Sequence, residues 1–193
     1  MQEINPRNHG RRELLRLALT VLFIFAAWRG SMLLFDFAGT NLAFGKRFLV
    51  SSDVREYPSK YFYRAWCQWD CAWYDRIVDH GYTLRENKMS SVAFFPLYPL
   101  VTRAITDVIG DRRFAGFLVA HAGTLLGLWF VFLTALMFVS EEKARRALIL
   151  LLLFPGSLFY SAFYTEGLFL CVTAGSAYYF FRRRWLLCGL FGM

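Results

Sequence analysis

The sequence predicts an all-α integral membrane protein, a polytopic helical bundle with amphipathic interfacial helices in its first outer loop. Two observations predict this fold. Of the 193 residues, 57% are hydrophobic and 19% are aromatic, which is more apolar than a typical soluble domain. The apolar residues also collect in long uncharged runs bounded by short clusters of Arg and Lys, a pattern typical of membrane spans and their flanks.

Four apolar runs are candidate spans, because a helix needs about 20 residues to cross a bilayer. They cover residues of about 14–36, 114–140, 147–164 and 167–181, and a partial span begins at Trp185. The third run contains Pro155-Gly156, which we expect to bend its helix. We interpret residues 1–193 as one transmembrane domain. Since the last apolar run stops at Met193, we expect the chain to be the N-terminal part of a longer protein.

The charge pattern predicts the orientation in the membrane. Basic clusters precede the first run, separate the second from the third and follow the fourth; they include Arg11, Arg12, Lys143, Arg145 and Arg182 to Arg184. With four spans and a cytoplasmic N-terminus, all three clusters lie in the cytoplasm. The segment of about 37–113 is then an outer loop. The membrane would be the plasma membrane in a bacterium and the endoplasmic reticulum in a eukaryote.

The net charge of +8 is explained by these flanking clusters, and we predict no nucleic-acid partner. Residues 94–109 are apolar enough to suggest another span, but Arg103 and Asp107 interrupt them and two prolines open them. Because charges at membrane depth are costly, we predict a helix that lies in the membrane interface.

The stretch WCQWDCAWYDRIVDHGY, residues 66–82, carries the candidate chemistry. Read as one helix, it places Asp70 at the edge of a face formed by Trp66, Trp69, Trp73, Ile77 and His80. A carboxylate among indoles must be paired, neutralised or functional, because its burial without a partner is expensive. Asp70 is therefore the candidate catalytic acid or base, and the alternative is a structural role as a helix cap or as the partner of Arg64.

Asp75 and Glu166 are candidate secondary acids. Asp75 and Asp79 point away from Asp70 on the same predicted helix, and we interpret them as a solvated polar face. Glu166 ends the turn between the third and fourth runs, on the same side of the membrane as Asp70. Arg29 interrupts the outer half of the first run, where a charge indicates a partner such as Glu166 or an anionic substrate.

Three blocks of sequence together resemble the GPI mannosyltransferase 2 family and its bacterial relatives. They are Trp69-Asp70 with Tyr74, Ile77 and Gly81-Tyr82; then AFFPLYPL from Ala93; then FPGSLFYSAFYTEGLF from Phe154, followed by the basic Arg182 to Arg184 and Trp185. The blocks extend from about Trp66 to the end of the chain in the family's order. Two positions depart from its pattern: Gln68, where relatives often have a basic residue, and Gly167, where Ser is usual.

The resemblance implies a C-type membrane glycosyltransferase that moves a hexose, mannose in this family, from a polyprenyl-phosphate donor to an acceptor hydroxyl on the outer or lumenal face. It makes Asp70 the candidate general base and a lipid or glycan the acceptor. The departing phosphate needs a cation, and Arg64, His80 and Arg103 are the outer candidates. Trp69 and Trp73 are candidate sugar contacts. We predict no cofactor and no metal site, and leave participation of a divalent metal open.

Two alternatives stay open at this point. A transporter would use Arg29, Glu166 and His121 as intramembrane charges, and its mark would be paired broken helices, of which the sequence indicates one. A non-catalytic membrane subunit would present the outer loop to a partner.

Overall fold

The computed structural model describes residues 10–38, 66–67, 69–84 and 89–193, and the following account concerns these residues. They form α1 (Arg11–Ala38), α2 (Cys71–His80), α3 (Leu97–Ile109), α4 (Arg112–Ala135), α5 (Glu141–Leu153), α6 (Glu166–Phe181) and α7 (Trp185–Gly192), with 3₁₀ segments at Ser91–Ala93 and Pro155–Ser161. The described residues contain no strand. The predicted all-α membrane fold is confirmed.

Two of the described helices, α1 and α4, are long and apolar enough to cross a membrane. The pair of α5 and the 3₁₀ segment Pro155–Ser161 meets the same test together but is bent by 86°. The bend has a local cause, because Phe154 precedes a proline and is therefore extended, with φ −63° and ψ 133°. Helix α6 has 16 residues, fewer than the usual span, so a crossing at 167–181 stays a prediction.

Contacts between the ends of the helices show which of these ends lie together in the bundle. Helices α1 and α5 begin at the same end of the bundle, where the guanidinium of Arg16 donates two hydrogen bonds to the Glu141 carboxylate at 2.9 and 2.8 Å. Phe181 at the end of α6 meets Phe138, just beyond the end of α4, with ring centroids 5.0 Å apart. The three basic clusters therefore lie at one end, which we call the basic end. The opposite end holds the start of α4, and α6 begins partway along α4, where Gly167 lies beside Ala120 and Thr124.

Helices α4 and α6 pack closely along each other, and glycines make the approach possible. A Cβ added at Gly123 would lie 2.7 Å from the backbone nitrogen of Leu168. A Cβ added at Gly167 would overlap the Ala120 carbonyl oxygen and the Thr124 hydroxyl. Small residues permit this kind of contact between membrane helices. The contact explains why position 167 is a glycine in this chain.

The single helix predicted for residues 66–82 is wrong, because α2 begins only at Cys71. Trp69 has φ 45°, a left-handed conformation that stops a right-handed helix from extending through it. The predicted tryptophan face does not form either. Trp66 is buried and Trp69 is 72% exposed, while the buried face of α2 consists of Cys71, Tyr74, Ile77 and Val78.

Of the solvated face predicted for Asp75 and Asp79, Asp79 is exposed and Asp75 is partly buried, and both acids have a partner that the sequence did not indicate. The first residue of α4, Arg112, forms ion pairs with Asp75 at 2.6 Å and with Asp79 at 2.7 Å. The pairing lowers the pKa of Asp79, because hydrogen bonding to the guanidinium and its positive charge favour the ionised form. These bonds fasten α2 to the start of α4.

The predicted helix within residues 94–109 forms as α3, directly after Pro96. Its inner side is anchored by the fully buried Tyr98, whose hydroxyl donates to the Gly116 carbonyl at 3.1 Å. Arg103 and Asp107 are exposed. The position of this helix in a membrane interface stays a prediction.

Candidate active site

A short segment, Trp66 to Asp70, is attached to the bundle at the end opposite the basic end. A disulfide joins Cys67 to Cys71 in the first turn of α2, with their Cα atoms 5.1 Å apart. The backbone N–H of Phe163 donates to the Trp66 carbonyl at 3.1 Å. This segment is therefore held from both sides, covalently by α2 and by hydrogen bonding from the chain that precedes α6.

Asp70 lies at the N-terminus of α2 with its side chain exposed. Its backbone N–H donates to the hydroxyl of Tyr164 at 3.0 Å, which brings together two parts of the sequence 94 residues apart. Beside it, the exposed indole of Trp69 lies 6.0 Å from the ring of Phe159. The site thus offers an accessible carboxylate next to an accessible aromatic surface.

Glu166, the first residue of α6, is the second acid of the site, as the sequence indicated. Burial raises the pKa of its carboxyl group, and the negative charge of nearby Asp70 raises it further. Its Oε2 atom is buried and has no hydrogen-bond partner among the described residues. The two carboxylates therefore differ: Asp70 is open to solvent, and Glu166 is half-buried and favours its neutral form more than a free glutamate does.

Aromatic rings form the floor beneath these acids. The ring of Tyr74 meets Phe94, Tyr98 and Tyr164 edge-on, with centroids 5.1, 5.2 and 6.2 Å apart. Burial raises the pKa of the Tyr74 hydroxyl, and the charges of Glu166 and Asp70 add to the shift. Trp73 stacks on Phe94 at 5.7 Å and lies on α2 beyond the Asp70 turn. Each of the three sequence blocks that carry the resemblance contributes at least one of these rings.

Two of the three predicted cations, His80 and Arg103, lie away from Asp70. His80 ends α2, and a helix of 10 residues places it about 15 Å from Asp70. It lies 3.5 Å from Asp79, whose pKa also responds to the charge of Arg103. His80 and Arg103 thus share the far end of α2, and Arg64 lies outside the described residues.

Arg29 of α1 contacts the site segment instead. Its guanidinium carbon lies 4.0 Å from the centroid of the Trp66 ring, and its Nη1 atom is buried without a hydrogen-bond partner among the described residues. Asp36 lies near enough to interact with both Arg29 and Trp66. No ion pair joins Arg29 to Glu166 in the described part of the chain. The signal in the sequence was an arginine within an apolar run, but its partner was not predictable.

Within the described ranges, no group of three or more His, Cys, Asp or Glu side chains is arranged to hold a metal ion. The acids of the site are Asp70 and Glu166, and Asp75 is engaged by Arg112 on the other side of α2.

Together, the fold and the site define a helical membrane protein with an acidic, aromatic site at one end of its bundle. The chain belongs to the mannosyltransferase (PIG-V) family, whose model matches residues 12–189. The match confirms the resemblance and the prediction of an enzyme that transfers mannose, and it extends to α1, ahead of the blocks that carried the resemblance. No curated protein and no solved structure matches the chain.

Proposed function

We propose that the protein transfers mannose, with inversion, from a polyprenyl-phosphate donor to an acceptor hydroxyl on the outer or lumenal face of the membrane. The observation that carries the proposal is the exposed Asp70 carboxylate beside the exposed Trp69 indole. A general base must reach the proton that it removes, and an aromatic face suits the C–H surface of a sugar ring. The acceptor is a lipid or glycan hydroxyl.

In this mechanism the acceptor hydroxyl loses its proton to Asp70 as its oxygen attacks the anomeric carbon. The bond between that carbon and the phosphate oxygen breaks, and the lipid phosphate leaves with the electron pair. Inversion in one step forms no glycosyl-enzyme, so a second carboxylate is not needed as a nucleophile. Glu166, whose pKa is raised by burial, suits a neutral hydrogen-bond donor to the substrate.

The leaving phosphate gains negative charge in the transition state and needs a cation nearby. We assign this role to Arg29, because its guanidinium lies on Trp66 in the segment that carries Asp70. Its Nη1 atom is buried and has no hydrogen-bond partner among the described residues, so it can donate to a phosphate oxygen while Asp36 remains near the same guanidinium. His80 and Arg103 suit the role less well, because they lie at the far end of α2.

Two observations support the outer face for this site. The basic clusters lie at the opposite end of the bundle, and such clusters favour the cytoplasm. A disulfide holds Cys67 to Cys71, and disulfides persist in oxidising compartments. The proposed location is thus the periplasmic face of a bacterial plasma membrane or the lumen of the endoplasmic reticulum.

The donor class is tested with the full chain in native membranes, which supply their own acceptors. We expect radiolabelled mannose to enter lipid-extractable or glycan product from polyprenyl-phosphate-mannose. The same membranes given GDP-mannose, with synthesis of the lipid donor blocked, should transfer none. Transfer from the nucleotide sugar under that block would overturn the proposed donor.

The membrane face is tested through the disulfide itself. In sealed vesicles of known orientation, an impermeant phosphine reductant followed by an impermeant maleimide should label Cys67 only when the reagents contact the outer face. Arg12→Cys, which places a thiol at an exposed position of the basic end, is the control for the opposite face. Labelling of Cys67 solely from the cytoplasmic face would contradict the proposed location.

A further inference from the structure

Helix α2 begins without the cap that its sequence suggests. Aspartate is among the preferred N-cap residues, because its carboxylate accepts hydrogen bonds from the first free N–H groups of a helix. Asp70 occupies this position, but with helical dihedrals, φ −71° and ψ −12°, and its side chain accepts no capping hydrogen bond. The backbone donors at the start of α2 must therefore be satisfied by another group.

The hydroxyl of Tyr164 supplies that acceptor. It receives the Asp70 N–H at 3.0 Å, and the Cys71 N–H interacts with the same oxygen. The phenol is fixed in place, because the Tyr164 side chain is buried and its ring contacts Phe159 at 5.2 Å and Tyr74 at 6.2 Å. A side chain from the turn before α6 thus caps a helix that begins with the candidate base.

The turn before Asp70 is strained, which indicates that its conformation is imposed from outside. Trp69 has φ 45°, which is uncommon for a bulky residue and costs about 1–3 kcal/mol. The disulfide between Cys67 and Cys71 closes the turn covalently, and the Tyr164 hydroxyl holds the backbone at its end. Strain of this kind persists where the surrounding structure over-determines it.

We infer that Tyr164 is a positioning residue that acts through Asp70: its hydroxyl accepts the N–H at the start of α2 and so fixes the backbone that presents the Asp70 carboxylate to the acceptor hydroxyl. The inference rests on the proposed function, in which Asp70 is the general base. It goes beyond that function, because it assigns a role to the hydrogen bond between Tyr164 and the Asp70 backbone.

Loss of the Tyr164 hydroxyl has a specific consequence for Asp70. In Tyr164→Phe the N–H groups of Asp70 and Cys71 lose their acceptor, so the backbone that carries the Asp70 carboxylate is held less firmly. The loss should appear in kcat, because the base must be held in its productive position in the transition state. The KM for the donor should change less, because Tyr164 is not among the groups proposed to contact the donor.

The experiment compares Tyr164→Phe with Tyr178→Phe, which removes the same hydroxyl from the far end of α6. Transfer from radiolabelled polyprenyl-phosphate-mannose is measured with the full chain in native membranes, over donor concentration. For Tyr164→Phe we expect kcat to fall about tenfold while KM for the donor stays within twofold. Tyr178→Phe should match the parent in both.

A double substitution tests whether Tyr164 acts through Asp70. In the Asp70→Asn background, Tyr164→Phe should lower the residual kcat no further, because the group that Tyr164 positions no longer acts as a base. Phenylalanine keeps the buried ring, and all variants are compared at equal amounts of protein in the membrane. The inference is overturned if Tyr164→Phe keeps the parental kcat, if its KM for the donor rises as much as its kcat falls, or if it lowers kcat as much in the Asp70→Asn background as in the parent.

Failure of this inference is distinguishable from failure of the proposed function. If Asp70→Asn is inactive while Tyr164→Phe behaves as the parent, the base assignment stands and the positioning role falls. If Asp70→Asn transfers mannose at the parental rate, Asp70 is not the base, and the positioning role of Tyr164, which depends on it, is also excluded.

Discussion

Replacement of Asp70 by Asn is expected to lower kcat for mannosyl transfer by about 10²–10⁴-fold, the usual contribution of a general base. Asparagine keeps the size of the side chain but cannot take the proton of the acceptor hydroxyl at neutral pH. Because Asp70 is exposed and its side chain caps no helix in the structure, the exchange removes no packing or capping contact. The loss should therefore appear in kcat, with the amount of protein in the membrane unchanged.

The measurement is transfer of radiolabelled mannose from polyprenyl-phosphate-mannose, normalised to the amount of protein in the membranes. Asp107→Asn is the matched control, since Asp107 is likewise exposed but lies on α3 outside the site. It should retain parental activity. Parental kcat in Asp70→Asn at equal protein level would remove Asp70 as the base.

The membrane helices were predictable, and the candidate acids could be singled out, because both are marked locally in the sequence. Long apolar runs identify α1 and α4 without knowledge of any partner, since a bilayer selects for apolar length. Asp70 stood out because a carboxylate buried between tryptophans would be costly unless used or paired, but in the structure its side chain is exposed and this cost does not arise. Glu166 stood out as an acid in a short turn between two apolar runs, and the structure places it near Asp70.

The start of α2 was not predictable, because tertiary contacts set it. A helical period runs through residues 66–82, but the left-handed Trp69 and the disulfide prevent the helix from beginning before Cys71. The hydroxyl that caps α2 comes from Tyr164, 94 residues away from Asp70. Likewise Arg112 bonds to Asp75 across 37 residues, so the acids that look solvated on a helical wheel are paired. Periodicity within one segment contains no record of such partners.

Replacement of Arg29 by Gln is expected to lower kcat by about 10²–10³-fold, the usual effect of removing one group that stabilises transition-state charge. The guanidinium lies on Trp66 with a buried Nη1 that lacks a partner in the described residues, so a phosphate oxygen can accept its hydrogen bond. Because the phosphate gains charge as the bond to mannose breaks, the loss should exceed any change in KM. Arg29→Lys keeps the charge but not the planar fork, and should recover part of the activity.

The same membrane assay gives kcat and KM for each Arg29 variant with polyprenyl-phosphate-mannose as donor. Arg113→Gln is the control, because Arg113 is an arginine near the start of α4 at the same end of the bundle. It should behave as the parent, which separates a local role from a general effect of positive charge near the membrane surface. A second comparison, Arg29→Met, tests packing, because methionine keeps an unbranched apolar side chain beside Trp66 without a charge. If Arg29→Met and Arg29→Gln both retain the parental kcat, Arg29 of α1 does not contact the phosphate. The cation must then come from the outer loop.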